Sequence, residues 1–170
     1  MNNAPEWLPP LIRLDEFGGE WSQYIEAVYA YFRADFLDSQ ARYGKKAIRL
    51  KRHPLLDGKE ATFWHITSEG KEEDKRVPDL RRCERIRWPR PVIENHNHKS
   101  IRCWSNTRTS AGRRNERRIV LWLYDDDYVV VLADRGRYAL LWTAYYVSWA
   151  HTRRKLLREY DEYMKRQTPP

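Results

Sequence analysis

Cysteine is scarce in this 170-residue chain, with Cys83 and Cys103 its only two. Neither belongs to a Cys-x-x-Cys pair, which argues against a cysteine zinc site or a disulfide scaffold and fits a reduced compartment. Long apolar runs are missing as well: no window approaches the roughly 18 consecutive apolar residues of a membrane span. The opening MNNAPEWLPPLIRLDEFGGE lacks the basic region and apolar stretch of a secretory signal. A cytoplasmic protein without membrane partners is therefore expected. There is no G-x-x-x-x-G-K-[ST], no G-x-S-x-G and no G-x-G-x-x-G, so P-loop, serine-hydrolase and dinucleotide chemistries have no footing.

What is present is aromatic and basic. Apolar residues make up 41% of the chain, with eight Trp, and a third of all residues are charged. A chain of this length buries roughly two-thirds of its unfolded surface and needs neither disulfide nor metal to fold. The net charge of +8 is unevenly spread: residues 74–118 hold 14 Lys and Arg against five Asp and Glu, an excess of nine, while the flanking thirds are nearly neutral. Guanidinium forks match phosphate oxygens, and release of condensed counterions drives polyanion binding. The middle third thus reads as a phosphate or nucleic-acid surface, or as a solvated basic face.

Residues 1–19, with Pro5, Pro9, Pro10 and Gly18-Gly19, are expected to run extended ahead of one domain over 20–170. From Glu20 to about Ser39 apolar residues recur every three or four positions, predicting an amphipathic helix. AIRLKR (47–52) reads as an edge strand and ATFWHITS as a second β-like run. Pro78 and Asp79 are placed to start a helix through LRRCERIR that Pro89 and Pro91 break. SIRCWSNTR, RRIVLWLYDDD, YVVVLADRG and RYALLWTAYYV predict four neighbouring strands, and a helix closes the chain from about Ser148, with Trp149, Leu156, Leu157, Tyr160 and Tyr163 or Met164 inward. The expected fold is α+β: an antiparallel meander of about four to five strands with helices on one face and the other face open.

In the last strand, a period of two places Tyr138, Leu140, Trp142 and Tyr146 toward the core and Ala139, Leu141, Thr143, Tyr145 and Val147 toward the open face. Thr143 and Tyr145 would there supply polar groups to a shallow groove. His65 has the one side-chain type that titrates near neutrality unaided, and it stands before a cationic loop, so it is a candidate acid or base. Arg81 and Arg85 are candidate anion ligands. Arg82, Arg87, Arg90, Arg113, Arg114 and Arg117 extend the basic surface, on which Trp88 and Trp104 could stack unpaired bases. His96 and His98 are a weak metal pair, and Asp125–Asp127 read as a hairpin turn. RNA suits such a set because its 2′-hydroxyl is an internal nucleophile, with no metal or other cofactor required.

GKEATFWHITSEG, RVPDLRRCERIRWPRP, LWLYDDDYVVVL and LLWTAYYV, across about residues 45–165, together resemble the phage-associated branch of the barnase–EndoU–colicin–RelE nucleases. The resemblance implies an α+β nuclease fold, metal-independent endoribonuclease activity and a toxin's role in conflict systems. An acidic antitoxin or immunity protein would be the partner. Position by position it carries over to His65, to Arg81, Arg82 and Arg85, and to Thr143, Ala144 and Tyr145. The competing expectations are a non-catalytic nucleic-acid-binding module and a phage interaction protein whose basic face meets an acidic partner.

Overall fold

The computed structural model of the chain describes residues 4–109 and 115–168. Helix α1, Trp21–Phe36, buries Tyr24, Ile25, Val28, Phe32 and Phe36 of the stripe expected from its spacing, while Trp21 and Tyr31, expected with them, are exposed. The N-terminal segment before it is docked and, against expectation, not extended throughout: it turns at Pro5–Leu8 and forms a 3-10 helix over Leu14–Phe17. Ile12 is buried, its amide donates to the Glu84 carbonyl, and its own carbonyl accepts from the Tyr24 phenol.

The four strands of the second half form as expected: β5 Ile101–Arg108, β6 Glu116–Leu123, β7 Tyr128–Asp134 and β8 Tyr138–Tyr146 pair antiparallel in chain order. The sheet does not stop there. Strand β2, Lys46–Arg49, lies parallel to β8, and β1, Arg42–Tyr43, pairs outside it across Gly44-Lys45, with Gly44 at φ 57°. The sheet is therefore mixed and six-stranded, in the order β1-β2-β8-β7-β6-β5, rather than an antiparallel four- to five-stranded meander. AIRLKR contributes an interior strand, not an edge.

Nor are the helices confined to one face. Ile119, Leu121 and Leu123 of β6, with Tyr128, Val130 and Leu132 of β7, join the core formed with α1. The alternate residues Val120, Trp122 and Val129 belong to a second cluster with Leu156 of α5, Ala150–Gln167. Leu157, Tyr160 and Tyr163 pack there too, whereas Trp149 and Met164, expected inward, are 67% and 44% exposed. Arg153 lies over the rings of Trp122 and Tyr124, 5.4 and 4.2 Å from their centroids.

The run expected as a second strand is a helix, α2, Ala61–Thr67. Thr62, Phe63, Ile66 and Thr67 are buried, a one-face pattern for a helix and not for a strand. Phe63 meets Phe32 at 5.3 Å and Tyr29 at 5.1 Å, so tertiary packing overrides the β propensity of the aromatic pair. After α2, the short strands β3, Ser68–Glu69, and β4, Val77–Pro78, pair antiparallel. Asp79, not Pro78, starts α3, Leu80–Glu84, as its N-cap, accepting from the Arg82 amide at 3.2 Å. Pro89 opens a further helix, α4, Pro89–Glu94, where a missing N–H costs nothing.

Candidate functional site

Strand β2 pairs with β8 only as far as Arg49 opposite Leu140, so the far half of that edge of β8 is left to α2 and α3. Two residues after β2, the chain is pinned to α2. The Thr62 amide donates to the Lys51 carbonyl at 2.9 Å, and the Lys51 amide donates to Thr62 Oγ1 at 2.8 Å. Lys51 and His65 thereby share a chamber of about 220 Å³ with Thr62, Lys71, Glu73, Arg76 and Trp142.

The two arginines nearest His65 grip the chain itself. Arg76 donates to the carbonyls of His65 at 2.9 Å and Gly70 at 2.6 Å, and Arg82 to Ser68 at 2.9 Å and His65 at 3.3 Å. They satisfy carbonyls that the end of α2 leaves without intrahelical partners. Burial first, then these two guanidiniums, push the His65 imidazole down to about 4. It is uncharged at neutral pH and able to accept a proton. Lys51, at 2.9 Å, holds the Glu73 carboxyl below its ordinary value.

The chamber adjoins a groove of about 1350 Å³ between the sheet and α5, and Lys51, Leu140 and Trp142 line both. From β8 the groove takes Leu140, Trp142, Thr143 and Tyr145, which strict alternation cannot supply. The register steps from Val131 opposite Thr143 to Leu132 opposite Leu141, so Trp142 is a surplus residue, a β-bulge. Before it, Ala139 and Leu141 face the α1 core; after it, Ala144 does. The bulge corrects the expected facing of Leu140 and Trp142, and of Ala139 and Leu141, while Thr143 and Tyr145 line the groove. Burial, then Glu159, raises the Tyr145 phenol, so it keeps its proton.

Sequence reasoning missed much of the groove's charge. Arg118 stands 3.8 Å over the Trp142 ring, its Nε donating to Glu116 at 2.8 Å, and Arg135 reaches the same carboxylate at 2.7 Å. Arg108 and Lys155 also line the groove, and among the described residues neither has an ion-pair partner. A cationic, aromatic-floored channel of this kind can hold a phosphodiester chain and stack its bases. Arg118 lies two residues before Val120 and four before Trp122, on the α5 side; its parity on β6 was the available signal.

The remaining candidates disperse. Arg82 comes within 5.8 Å of the Tyr145 ring centroid but lines neither cavity. Arg81 and Arg85 follow Tyr146, whose ring they cover at 5.2 and 4.3 Å, and line neither cavity. Arg87 covers Tyr31 of α1 at 4.9 Å, and Arg90 binds Glu94 at 2.9 Å and the Asp35 carbonyl at 2.7 Å. Trp88 and Trp104, only 6% and 2% exposed, are core groups and cannot stack a base. Arg117 is exposed, 3.8 Å from Asp134; Arg113 and Arg114 lie outside the described residues.

His96 and His98 are engaged locally, with Ile93 and Ser100 respectively, and among the described residues no three His, Cys, Asp or Glu side chains gather as a metal site. The second and third residues of the Asp125–Asp127 run complete a tight turn, Asp127 at φ 51°, and Asp127 pairs with Arg153. No helix of the described residues is long and apolar enough to cross a membrane. Comparison of the chain with family models, with curated proteins and with solved structures returns no match.

Proposed function

We propose that this chain is an endoribonuclease that cleaves RNA through the substrate's own 2′-hydroxyl, with the strand laid in the groove between the sheet and α5. The observation that carries the reading is the uncharged His65 imidazole, set with Lys51 and Arg76 in a chamber that opens beside Thr143 and Tyr145. His65 takes the 2′-hydroxyl proton, and the 2′ oxygen bonds to the adjacent phosphorus. Lys51 and the remaining donors of Arg76 face the charge that grows on the phosphoryl oxygens. The bond to the 5′ oxygen breaks, the protonated Tyr145 phenol gives that oxygen its proton, and the products are a 2′,3′-cyclic phosphate and a 5′-hydroxyl. Because the nucleophile belongs to the substrate, no metal is required. Under this reading the fold is a variant of the barnase–EndoU–colicin–RelE type, and the toxin role, with an acidic antitoxin or immunity protein over the groove, is its biological setting.

The test is incubation of the purified protein with single-stranded RNA in EDTA. Cleavage leaving cyclic phosphate ends, blocked by a 2′-deoxy substitution at the scissile position and reduced about 10²–10⁴-fold in His65→Gln, is expected. Cleavage of the deoxy strand, or full activity in His65→Gln, overturns the assignment. A second reading, RNA binding without turnover, is favoured by the engagement of Arg76 and Arg82 with backbone carbonyls. Equal binding by wild type and His65→Gln with no product from either selects it.

A further inference from the structure

Burial is the ordinary fate of tryptophan, and a large ring left in water has forgone roughly 2 kcal/mol or more of transfer energy. Trp149 is 67% exposed, more than any other large hydrophobic residue among those described. It stands at the N-cap of α5, where its ring lies 23° from parallel to that of His151, with centroids 6.3 Å apart. His151 begins the α5 wall of the groove, so the two rings form a step leading from the groove to solvent. Ser148, the residue before Trp149, accepts from Arg81 Nη1 at 3.2 Å, which holds a guanidinium one residue along the chain from the exposed ring. An exposed flat ring beside the end of a basic channel, with a guanidinium held at the preceding residue, matches the needs of a nucleotide: a π-face for its base and a positive charge for its phosphate.

We propose that Trp149 is a stacking platform for one unpaired base of the bound RNA, and that the substrate is therefore single-stranded where it leaves the groove. In a duplex both faces of each base are already stacked and unavailable. The proposal rests on the groove being an RNA site and adds a binding residue that the proposed chemistry does not use. It also returns Arg81 to the ligand, as a neighbour of the flanking phosphate rather than of the scissile one.

The test measures binding in EDTA by fluorescence anisotropy. The probes are a short 2′-deoxy-blocked single-stranded oligoadenylate and a set in which one abasic residue is moved along that strand. Trp149→Ala is expected to weaken binding of the intact strand about 5- to 100-fold, and Trp149→Phe to recover most of the loss. One abasic position should weaken the wild type by a similar factor while costing Trp149→Ala nothing further. If Trp149→Ala binds like the wild type, or if it loses further affinity at every abasic position, the platform is refuted. A wild type that fails to bind any single strand would instead remove the groove reading itself. A wild type that binds and cleaves beside an unaffected Trp149→Ala removes this proposal alone.

Discussion

Acid titration of His65 tests the burial on which its role depends. Its imidazole protonates at about 4 in the folded chain against an ordinary 6.5, because burial and the charges of Arg76 and Arg82 oppose a second positive group there. As the pH falls below about 6.5 the unfolded chain gains this proton and the folded chain does not. The contribution is therefore complete above about pH 6.5, declines as the pH drops, and is fully lost near pH 4. The interval from 6.5 to about 4 converts to roughly 3 kcal/mol. Because the ring is only partly buried, screening by water lowers the expected loss to about 1–2 kcal/mol. Urea unfolding of the wild type and of His65→Gln, each at neutral pH and near pH 4, isolates the effect, since other groups titrate in both proteins. The wild type should lose about 1–2 kcal/mol more than the variant over that range. Equal losses would mean that the ring is as well hydrated folded as unfolded, and the uncharged base at neutral pH would lose its structural cause.

Other outcomes follow from the geometry. Phe63→Ala should cost about 3–5 kcal/mol in denaturant unfolding, because Phe63 is fully buried against Tyr29 and Phe32 and its loss leaves a cavity under the His65 helix. Asp79→Ala removes the N-cap acceptor of α3 and should cost about 1 kcal/mol, read as a lowered melting temperature, with Asp79→Asn recovering most of it. Replacing Arg108 and Lys155 together by Ala should lower the slope of log binding constant against log salt for single-stranded RNA by about 0.7 for each charge removed. An unchanged slope would place the phosphates elsewhere.

Elements whose residues read locally were legible in the sequence. The α1 stripe, the four strands of the second half and the Asp turn all follow from spacing and turn chemistry. The covered second face was legible too, but in a signal read too lightly. Ile119–Leu123 and Tyr128–Val130 carry unbroken apolar runs, and strands buried on both sides lose their alternation. Other features depend on distant partners. TFWHITS is a helix because Phe32 and Tyr29 of α1 receive Phe63, a contact across some thirty residues that no local propensity contains. Arg81 and Arg85 are separated from Tyr145 because they cover the next residue of β8, Tyr146, and the diversion of Arg76 and Arg82 to carbonyls arises from the end of a helix that was expected as a strand. Composition marked the middle third as basic; the folded chain spreads that charge over several faces, and much of the groove's share lies on β5, β6 and α5.

The bulge at Trp142 also sets what evolution or engineering can do to this strand. Deleting that single residue leaves Leu141 turned to the interior and Thr143, Ala144 and Tyr145 each facing as before, since regular pleating resumes at once. An insertion at any other interior position of β8 would instead send every later side chain to the wrong side. The ring that floors the channel is thus the one place along β8 where the chain can shorten without scrambling what lies beyond it.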